Sequence, residues 1–211
     1  MPRDLARTPL FHITDVENIV GIVSGGGLLS DSLLVAQGGP KVGIGYDHIK
    51  RRRMTETRIQ CAGNRFVGEF VPFYFCPRSV MLFVVNMGRT GRQPGCQRTI
   101  LHLVTSVADA MNTGSSWAFS DGNAGAAYPS FYDNIHELDA KLNWTAISER
   151  ANWSSVRTEK QAEFLVADTY PWNSIRAVGC YDNAVAQRVA EQLKDAQHCP
   201  KILVKREWYY S

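Results

Sequence analysis

The alternation of apolar and polar positions divides the chain into parts with different predicted elements. In TDVENIVGIVSGGG, residues 14–27, polar capping residues precede apolar positions at helical spacing, and the glycines then end the predicted helix. The next stretch, residues 35–53, is rich in glycine and carries Pro40. It therefore predicts a long loop that leads into a basic segment compatible with a helix.

Short apolar runs typical of strands dominate the chain from Glu69 onward. The predicted strands are EFVPFYF, SVMLFVVNM, TILHLVTSV, WAFS, AEFLV, IRAVGC and KILVKREWYY, and a short strand at FHIT precedes them. Helices are predicted around NIHELDAKLNW and over AVAQRVAEQLKDA, which Asp182 can cap, and the glycine- and alanine-rich stretch after WAFS predicts a loop. Because strands and helices do not alternate regularly, the pattern predicts an α+β domain rather than a doubly wound nucleotide-binding fold.

Composition adds limits but no specific chemistry. The chain has 45% apolar residues, a net charge of +3, and no repeat or linker, so residues 1–211 are predicted to form one domain. The five cysteines are scattered without a C-x-x-C pair, so we expect free buried thiols and no metal site. No apolar core of a signal peptide is present near the N-terminus, and the longest apolar run, VMLFVV, is far shorter than the roughly 20 residues that span a bilayer. We expect a cytoplasmic protein without a membrane partner.

One carboxylate lies in an unusual place. In RTEKQAEFLV, residues 157–166, Glu159 can supply a solvated charge, whereas Glu163 directly precedes an apolar run. A carboxylate at the end of a strand that is open to water can pair with a surface lysine or arginine. If both faces of the strand are covered, Glu163 is instead a candidate for stabilising a sugar cation or orienting a ribose hydroxyl.

Two further segments allow both a structural and a functional interpretation. The run from Lys50 to Arg53 resembles an ordinary solvated helix face, but with Arg58 and Arg65 it can also form a phosphate-binding patch. His12 can be a hydrogen-bonded core residue, or it can act with Thr14 to hold the ribose or phosphate of a nucleotide. In FYF, residues 73–75, a ring that faces a cleft can stack on a planar ligand.

Six segments occur in one order along the chain: TPLFHITDVENI, GGLL, IKRRR, VPFYFCPRSVML, SDGNA and RTEKQAEFLV. Together they resemble the DarT family, the DNA ADP-ribosyltransferase toxins of the DarT/DarG toxin–antitoxin systems. The resemblance implies an ADP-ribosyltransferase fold, with a split, mostly antiparallel β-sheet and flanking helices. It also implies transfer of ADP-ribose from the co-substrate NAD to a base of single-stranded DNA, without a metal ion.

The resemblance assigns roles to individual residues. Glu163 matches the catalytic glutamate, and the arginine run carries a second catalytic group, for which we choose Arg52, with Arg51 and Arg53 as alternatives because the motif does not fix the register. The residues expected to contact NAD are His12, Ile13, Thr14, Gly21, Leu29, Arg51 and Tyr74. The residues expected to contact DNA are Arg53, Arg78 and Asn123.

The resemblance leaves the acceptor base open and implies a partner. Asn123 occupies a position where some thymine-modifying relatives carry histidine, so the acceptor can be thymine or guanine. The implied partners are single-stranded DNA and a macrodomain antitoxin similar to DarG. Transfer to protein or to RNA ends is the alternative activity, and a catalytically silent module that binds single-stranded nucleic acid is the alternative from another class.

Overall fold

An eight-stranded sheet forms the centre of the fold in the computed structural model, which describes residues 3–126, 129–151 and 153–211. The strands in these ranges are β1 (Pro9–Asp15), β2 (Gly27–Leu29), β3 (Arg58–Ile59), β4 (Arg65–Phe66), β5 (Phe70–Tyr74), β6 (Ile100–Ser106), β7 (Trp117–Ser120), β8 (Phe131–Tyr132), β9 (Glu163–Ala167), β10 (Thr169–Pro171), β11 (Ala177–Cys180) and β12 (Lys201–Val204). The order in the large sheet is β12-β11-β6-β1-β5-β9-β7-β8, and β2 with β10 and β3 with β4 form two small sheets.

The large sheet is mostly antiparallel and is split between β1 and β5. Only the β11–β12 pair is parallel among the pairs formed by the described residues. β1 pairs with β6 along its whole length, but with β5 it shares a single pair, Phe11 with Tyr74. Pro72 of β5 has no amide hydrogen to donate across this gap. The strands therefore diverge beyond Phe11, and the α+β class with a split sheet is confirmed.

Helices flank the large sheet. They are α1 (Ile19–Ser24), α2 (Asp31–Ala36), α3 (Asp47–Thr55), α4 (Val80–Asn86), α5 (Val107–Met111), α6 (Leu138–Lys141), α7 (Trp144–Ser148) and α8 (Asn183–Gln192) within the described residues. The predicted first helix begins with a 3₁₀ turn, where the Asp15 side chain accepts from the amide of Glu17, and it ends before Gly25. Asp182 caps α8 as predicted, and the basic segment forms α3.

The strand predicted over residues 79–87 is wrong, because this segment forms α4. Ser79 caps the helix by accepting from the amide of Leu82 at 3.2 Å. Its apolar residues lie on several sides of the helix and are mostly buried, so the run has no clear helical period in the sequence. Helix α2 lies mostly ahead of the segment predicted as a loop and overlaps only its first two residues, 35 and 36. Residues 127 and 128 of the second predicted loop lie outside the described residues.

Both faces of β9 are covered by apolar residues. Phe164 and Val166 belong to the largest core cluster, whereas Leu165 and Ala167 belong to a second cluster on the opposite face. Every residue of β9 is buried, including Glu163 at 3% exposure. The condition for a functional interpretation of this carboxylate is therefore met.

Two expectations about composition can be compared with the structure. The cysteines are free, as predicted, but Cys61 and Cys199 are exposed, so the expectation of burial is wrong for them. In the ranges that the structure describes, no helix is long and apolar enough to cross a bilayer.

Candidate active site

Glu163 forms a buried ion pair with one arginine of α3. Arg53 Nη1 donates to both carboxylate oxygens, at 3.1 Å to Oε1 and 2.9 Å to Oε2, and neither side chain is more than 9% exposed. The amide of Ala124 donates to Oε1 at 3.2 Å. The carboxylate is therefore fixed in one orientation by a charged donor and a backbone donor.

Arg53 has donor capacity that the protein does not use. Burial alone would lower the pKa of its guanidinium, but the charges of Glu163 and Asp31 and the hydrogen bonds to Glu163 together outweigh burial, and the pKa is raised. Its Nη2 atom is buried and has no hydrogen-bond partner among the described residues. An unpaired buried donor is costly unless a ligand accepts from it. The site therefore offers a donor to a substrate oxygen next to Glu163.

The loop after β7 closes over the ion pair. Asn123 Nδ2 donates to Gln161 Oε1 at 3.0 Å, and the amide of Gly125 donates to Asn123 Oδ1 at 2.7 Å. A Cβ atom at Gly125 would lie 3.1 Å from Ile49 and 3.3 Å from Arg53, so glycine allows the loop to approach α3 closely. These contacts hold the Asn123 carboxamide at the edge of the site.

A cleft of about 990 Å³ opens where β1 and β5 diverge. His12 and Thr14 of β1, Tyr74 of β5 and Glu163 of β9 are among its lining residues. This volume is at the upper end of the range for small-molecule sites, as a dinucleotide requires. The split in the sheet thus creates the space, and the ion pair lies on its wall.

The imidazole of His12 bridges the split between the strands. Its Nδ1 lies 2.8 Å from the carbonyl oxygen of Pro72. Burial lowers the pKa of His12, so the neutral ring predominates at pH 7. A neutral ring that donates from Nδ1 leaves Nε2 as an acceptor for a ligand hydroxyl.

Tyr74 pairs directly with Glu163 across β5 and β9. Burial and the nearby charge of Glu163 raise the pKa of the Tyr74 phenol, so the ring stays neutral at pH 7. It therefore presents an uncharged aromatic surface in the cleft.

The glycine-rich loop that forms one side of the cleft is tied to the start of α1. Asn18 donates to the carbonyl of Val42 at 2.8 Å and accepts from its amide at 2.9 Å, and it also donates to Thr14 Oγ1 at 3.1 Å. Lys41 pairs with Glu17 at 2.9 Å. The sequence analysis missed Glu17 and Asn18 as cleft residues; the available signal was their position in the 3₁₀ turn that leads into α1.

The structure brings most of the predicted site residues to one cleft. The predicted residues that line it are His12, Ile13, Thr14, Gly21, Leu29, Arg53, Tyr74, Asn123 and Glu163. Gly21 lies in α1, and a Cβ atom there would meet nothing within 4 Å. Packing therefore does not require glycine at this position, and the open space faces the cleft.

Three predicted site residues lie elsewhere. Arg52 is 40% exposed and pairs with Glu56 at 3.5 Å, so the geometry favours Arg53 over Arg52 as the partner of Glu163. Arg51 is exposed and lies outside the cleft, because successive helical residues point about 100° apart. Arg78 donates to the carbonyl of Tyr209 at 2.8 and 2.5 Å, so it anchors the C-terminal segment and its position gives no support for a DNA contact.

A metal ion is usually bound by a characteristic set of side chains. Among the residues that the structure describes, no three histidine, cysteine, aspartate or glutamate side chains gather to hold an ion. Close to the ion pair, the cleft is lined by the carboxylate of Glu163, the guanidinium of Arg53 and the phenol of Tyr74. The other titratable residues that line it are His12, Glu17, Asp31, Lys41, Tyr46, His48, Lys50 and Arg157.

Comparisons with known proteins agree with this geometry. The sequence profile of the family described as "ssDNA thymidine ADP-ribosyltransferase, DarT" matches residues 11–210. A DNA ADP-ribosyl transferase of Thermus aquaticus is 37% identical over 96% of this chain and 89% of its own length, and one from Thermus sp. is 36% identical over 96% of each chain.

Solved structures give the same assignment. Thermus sp. 2.9 DarT in complex with ADP-ribosylated ssDNA matches with a TM-score of 0.89 and 34% identity over all of both chains. The same protein in complex with NAD⁺ matches with a TM-score of 0.82 and 32% identity over 96% of this chain and 98% of that chain. The chain belongs to the DarT family of DNA ADP-ribosyltransferases.

Proposed function

We propose that this chain transfers ADP-ribose from NAD⁺ to a base of single-stranded DNA and releases nicotinamide. The observation that carries the proposal is the buried Glu163–Arg53 pair on the wall of a cleft large enough for a dinucleotide. The molecules bound by the similar Thermus protein support it. Thymine is the proposed acceptor, because the family description specifies thymidine.

Glu163 is the proposed catalytic carboxylate. Breaking the bond between ribose and nicotinamide builds positive charge on the sugar, and a fixed carboxylate nearby stabilises that charge more than it stabilises the neutral-sugar ground state. Nicotinamide leaves with the electron pair of the broken bond, the DNA base forms the new bond to the sugar carbon, and the base releases its ring proton to solvent water. The buried position of Glu163 strengthens the electrostatic effect because little water screens it.

Arg53 is the proposed second catalytic group, in place of Arg52. Its unpaired Nη2 can donate to an oxygen of the acceptor base, which polarises the base and makes the ring proton easier to lose. An arginine side chain does not give up its own proton under these conditions, so hydrogen-bond activation is the proposed role.

The remaining cleft residues are proposed to position the two substrates. His12 and Thr14 would bind hydroxyl groups of NAD⁺, and Ile13, Gly21 and Leu29 would form the apolar wall. Tyr74 would lie against the nicotinamide, and Asn123 would face the acceptor base. By resemblance to the family, a macrodomain antitoxin is the proposed protein partner, and rescue of growth by its co-expression would test that.

Mass spectrometry of a single-stranded oligonucleotide incubated with the protein and NAD⁺ tests the activity. We expect a mass gain of one ADP-ribose in the wild type and a rate about 10²–10³-fold lower in Glu163→Gln, which keeps the shape but removes the charge. Glu159→Gln is the matched control, because that carboxylate lies four residues earlier and does not line the cleft. Equal rates in both variants would contradict the assignment of Glu163.

The same assay separates the alternative functions. Oligonucleotides that lack thymine or guanine identify the acceptor base, and duplex DNA, RNA with a terminal phosphate and protein are offered in parallel. Modification of protein or RNA alone would replace the proposed substrate. Binding of oligonucleotide without turnover of NAD⁺ would identify a silent single-strand-binding module instead.

A further inference from the structure

A shallower groove adjoins the mouth of the cleft and is lined by basic and aromatic side chains. Its volume is about 530 Å³, and its lining includes Tyr46, His48, Lys50, Arg51 and Arg89. Tyr46, His48 and Lys50 also line the cleft, so the groove and the cleft are continuous. A ligand that passes out of the cleft at this point would enter the groove.

The charges of this groove are not neutralised by the protein. Lys50, Arg51 and Arg89 have no carboxylate within ion-pair distance in the described part of the chain, whereas the next two arginines of α3 are both paired. Asp47 is the only acidic residue among the described residues that line the groove. The groove therefore carries an excess of positive charge, which favours an anionic ligand.

Aromatic rings lie beside these cations. The rings of Tyr46 and His48 are 5.2 Å apart between centroids and 36° from parallel, and His48 is exposed. Sites for single-stranded nucleic acid combine cations that follow the phosphates with rings on which bases stack. The lining also includes Thr90, whose Oγ1 is buried and has no hydrogen-bond partner among the residues that the structure describes.

We propose that this groove binds the backbone of the DNA strand beside the acceptor nucleotide, with Arg51 and Arg89 contacting phosphates and a neighbouring base stacking on Tyr46 and His48. The proposal rests on the proposed function. A pyrophosphate of NAD⁺ has similar chemistry, but Arg51 and Arg89 do not line the cleft that contains Glu163. DNA is therefore the source of phosphate that fits the position of the groove.

Binding of a fluorescent, thymine-containing single-stranded oligonucleotide over a salt series tests the proposal. Loss of two phosphate contacts should reduce the slope of log affinity against log salt by about 1.4, because each contact on single-stranded DNA contributes about 0.7. We expect this reduction in the double variant Arg51→Gln/Arg89→Gln. The variant Arg51→Lys/Arg89→Lys should keep the slope, because it keeps both charges.

The matched control removes two positive charges elsewhere. Lys194→Gln/Lys201→Gln has the same net charge as the glutamine double variant, and neither lysine lines the groove or the cleft. If the salt slope fell equally in Arg51→Gln/Arg89→Gln and in Lys194→Gln/Lys201→Gln, the change in net charge alone would explain the effect. That result would overturn the proposal. Weaker NAD⁺ binding with an unchanged DNA slope would assign the groove to the co-substrate and would also overturn it.

Neutral phosphates locate the contact on the strand. Each oligonucleotide carries one methylphosphonate, placed at successive positions along the series. The wild type should bind more weakly when the neutral phosphate lies next to the acceptor, whereas the affinity of the glutamine double variant should not fall further at those positions. If the neutral phosphate and the two substitutions reduced the affinity additively, the proposal would be overturned. The binding assay needs no catalysis, so a wild type that binds in this way but modifies no base would refute the proposed function while supporting the groove.

Discussion

Arg53 and Arg52 are neighbours in sequence, but only Arg53 contacts the carboxylate of Glu163. Arg53→Lys keeps the charge and loses the planar fork with its free donor, so we expect the rate of transfer to fall about 10²-fold. Arg52→Lys should change the rate less than about fivefold, because that side chain is partly exposed and pairs with Glu56. Initial rates with saturating NAD⁺ measure both effects.

Thermal unfolding of the same variants separates catalysis from stability. Removing one partner of a buried ion pair costs about 3–5 kcal/mol, so Arg53→Gln can reduce activity by unfolding the protein, whereas Arg53→Lys keeps a cation next to Glu163. If Arg52→Lys were the less active of the two folded variants, the assignment of Arg53 would be refuted.

Single residues could be predicted from the sequence where their neighbours made them unusual. Glu163 stands out because a carboxylate at the start of an apolar strand needs a compensating contact. The register of the arginine run could not be predicted, since consecutive basic residues have the same chemistry and only the rotation of α3 decides which one faces β9. Arg78 was assigned to DNA, but the carbonyl that binds it comes from Tyr209, far along the chain.

Helix α4 forms one wall of the cleft, and its N-terminal cap is a single side chain. Ser79→Ala removes the acceptor for the amide of Leu82, so we expect a loss of about 1 kcal/mol in the free energy of unfolding. Because Val80, Met81 and Val84 of this helix line the cleft, the KM for NAD⁺ should rise several-fold with little change in kcat. Urea denaturation and steady-state kinetics measure the two effects.

Ser106→Ala is the matched control for Ser79→Ala. Ser106 caps α5 by accepting from the amide of Asp109 at 3.1 Å, and no residue of α5 lines the cleft. The Ser106→Ala variant should lose a similar amount of unfolding free energy and should keep the KM for NAD⁺ of the wild type. A rise in KM for both variants would mean that the effect follows global stability and not the position of α4.

Elements could be predicted where one face dominated the pattern. Asp182 and the amphipathic run after it identified α8, and the short apolar runs of β6 and β9 between polar residues were sufficient to place strands. The run VMLFVV did not reveal its helix, because burial on several sides removes the periodicity that distinguishes helix from strand. The cap at Ser79 was the only local signal.

The arrangement of the whole sheet depends on contacts between distant segments. β1 lies between β5 and β6, and the cleft exists because β1 pairs with β5 at only one position. Pattern and propensity give no information on such pairing, so the resemblance to a known family was needed to predict the split. What the sequence contributed was Pro72, a residue without an amide donor at the edge of the gap.

Two histidines with lowered pKa values make the stability of the whole molecule depend on pH. Burial lowers the pKa of His12, and it lowers that of His102 to about 4 from a usual value of 6.5. At pH values between the lowered pKa of each folded-state histidine and the usual value of 6.5, the unfolded chain binds more protons than the folded protein. The free energy of unfolding therefore falls as pH falls. The stabilisation is complete above about pH 6.5 and is lost towards pH 4.

Urea denaturation at about pH 5, 6 and 7.5 measures this dependence. Each histidine contributes a slope of up to about 1.4 kcal/mol per pH unit, and the carboxylates with lowered pKa, Glu17, Asp109 and Glu207, act only at more acidic pH. His102→Gln removes one titrating group and should flatten the profile above pH 5 relative to the wild type. A wild-type stability that is constant over this range would contradict the lowered pKa values of both histidines.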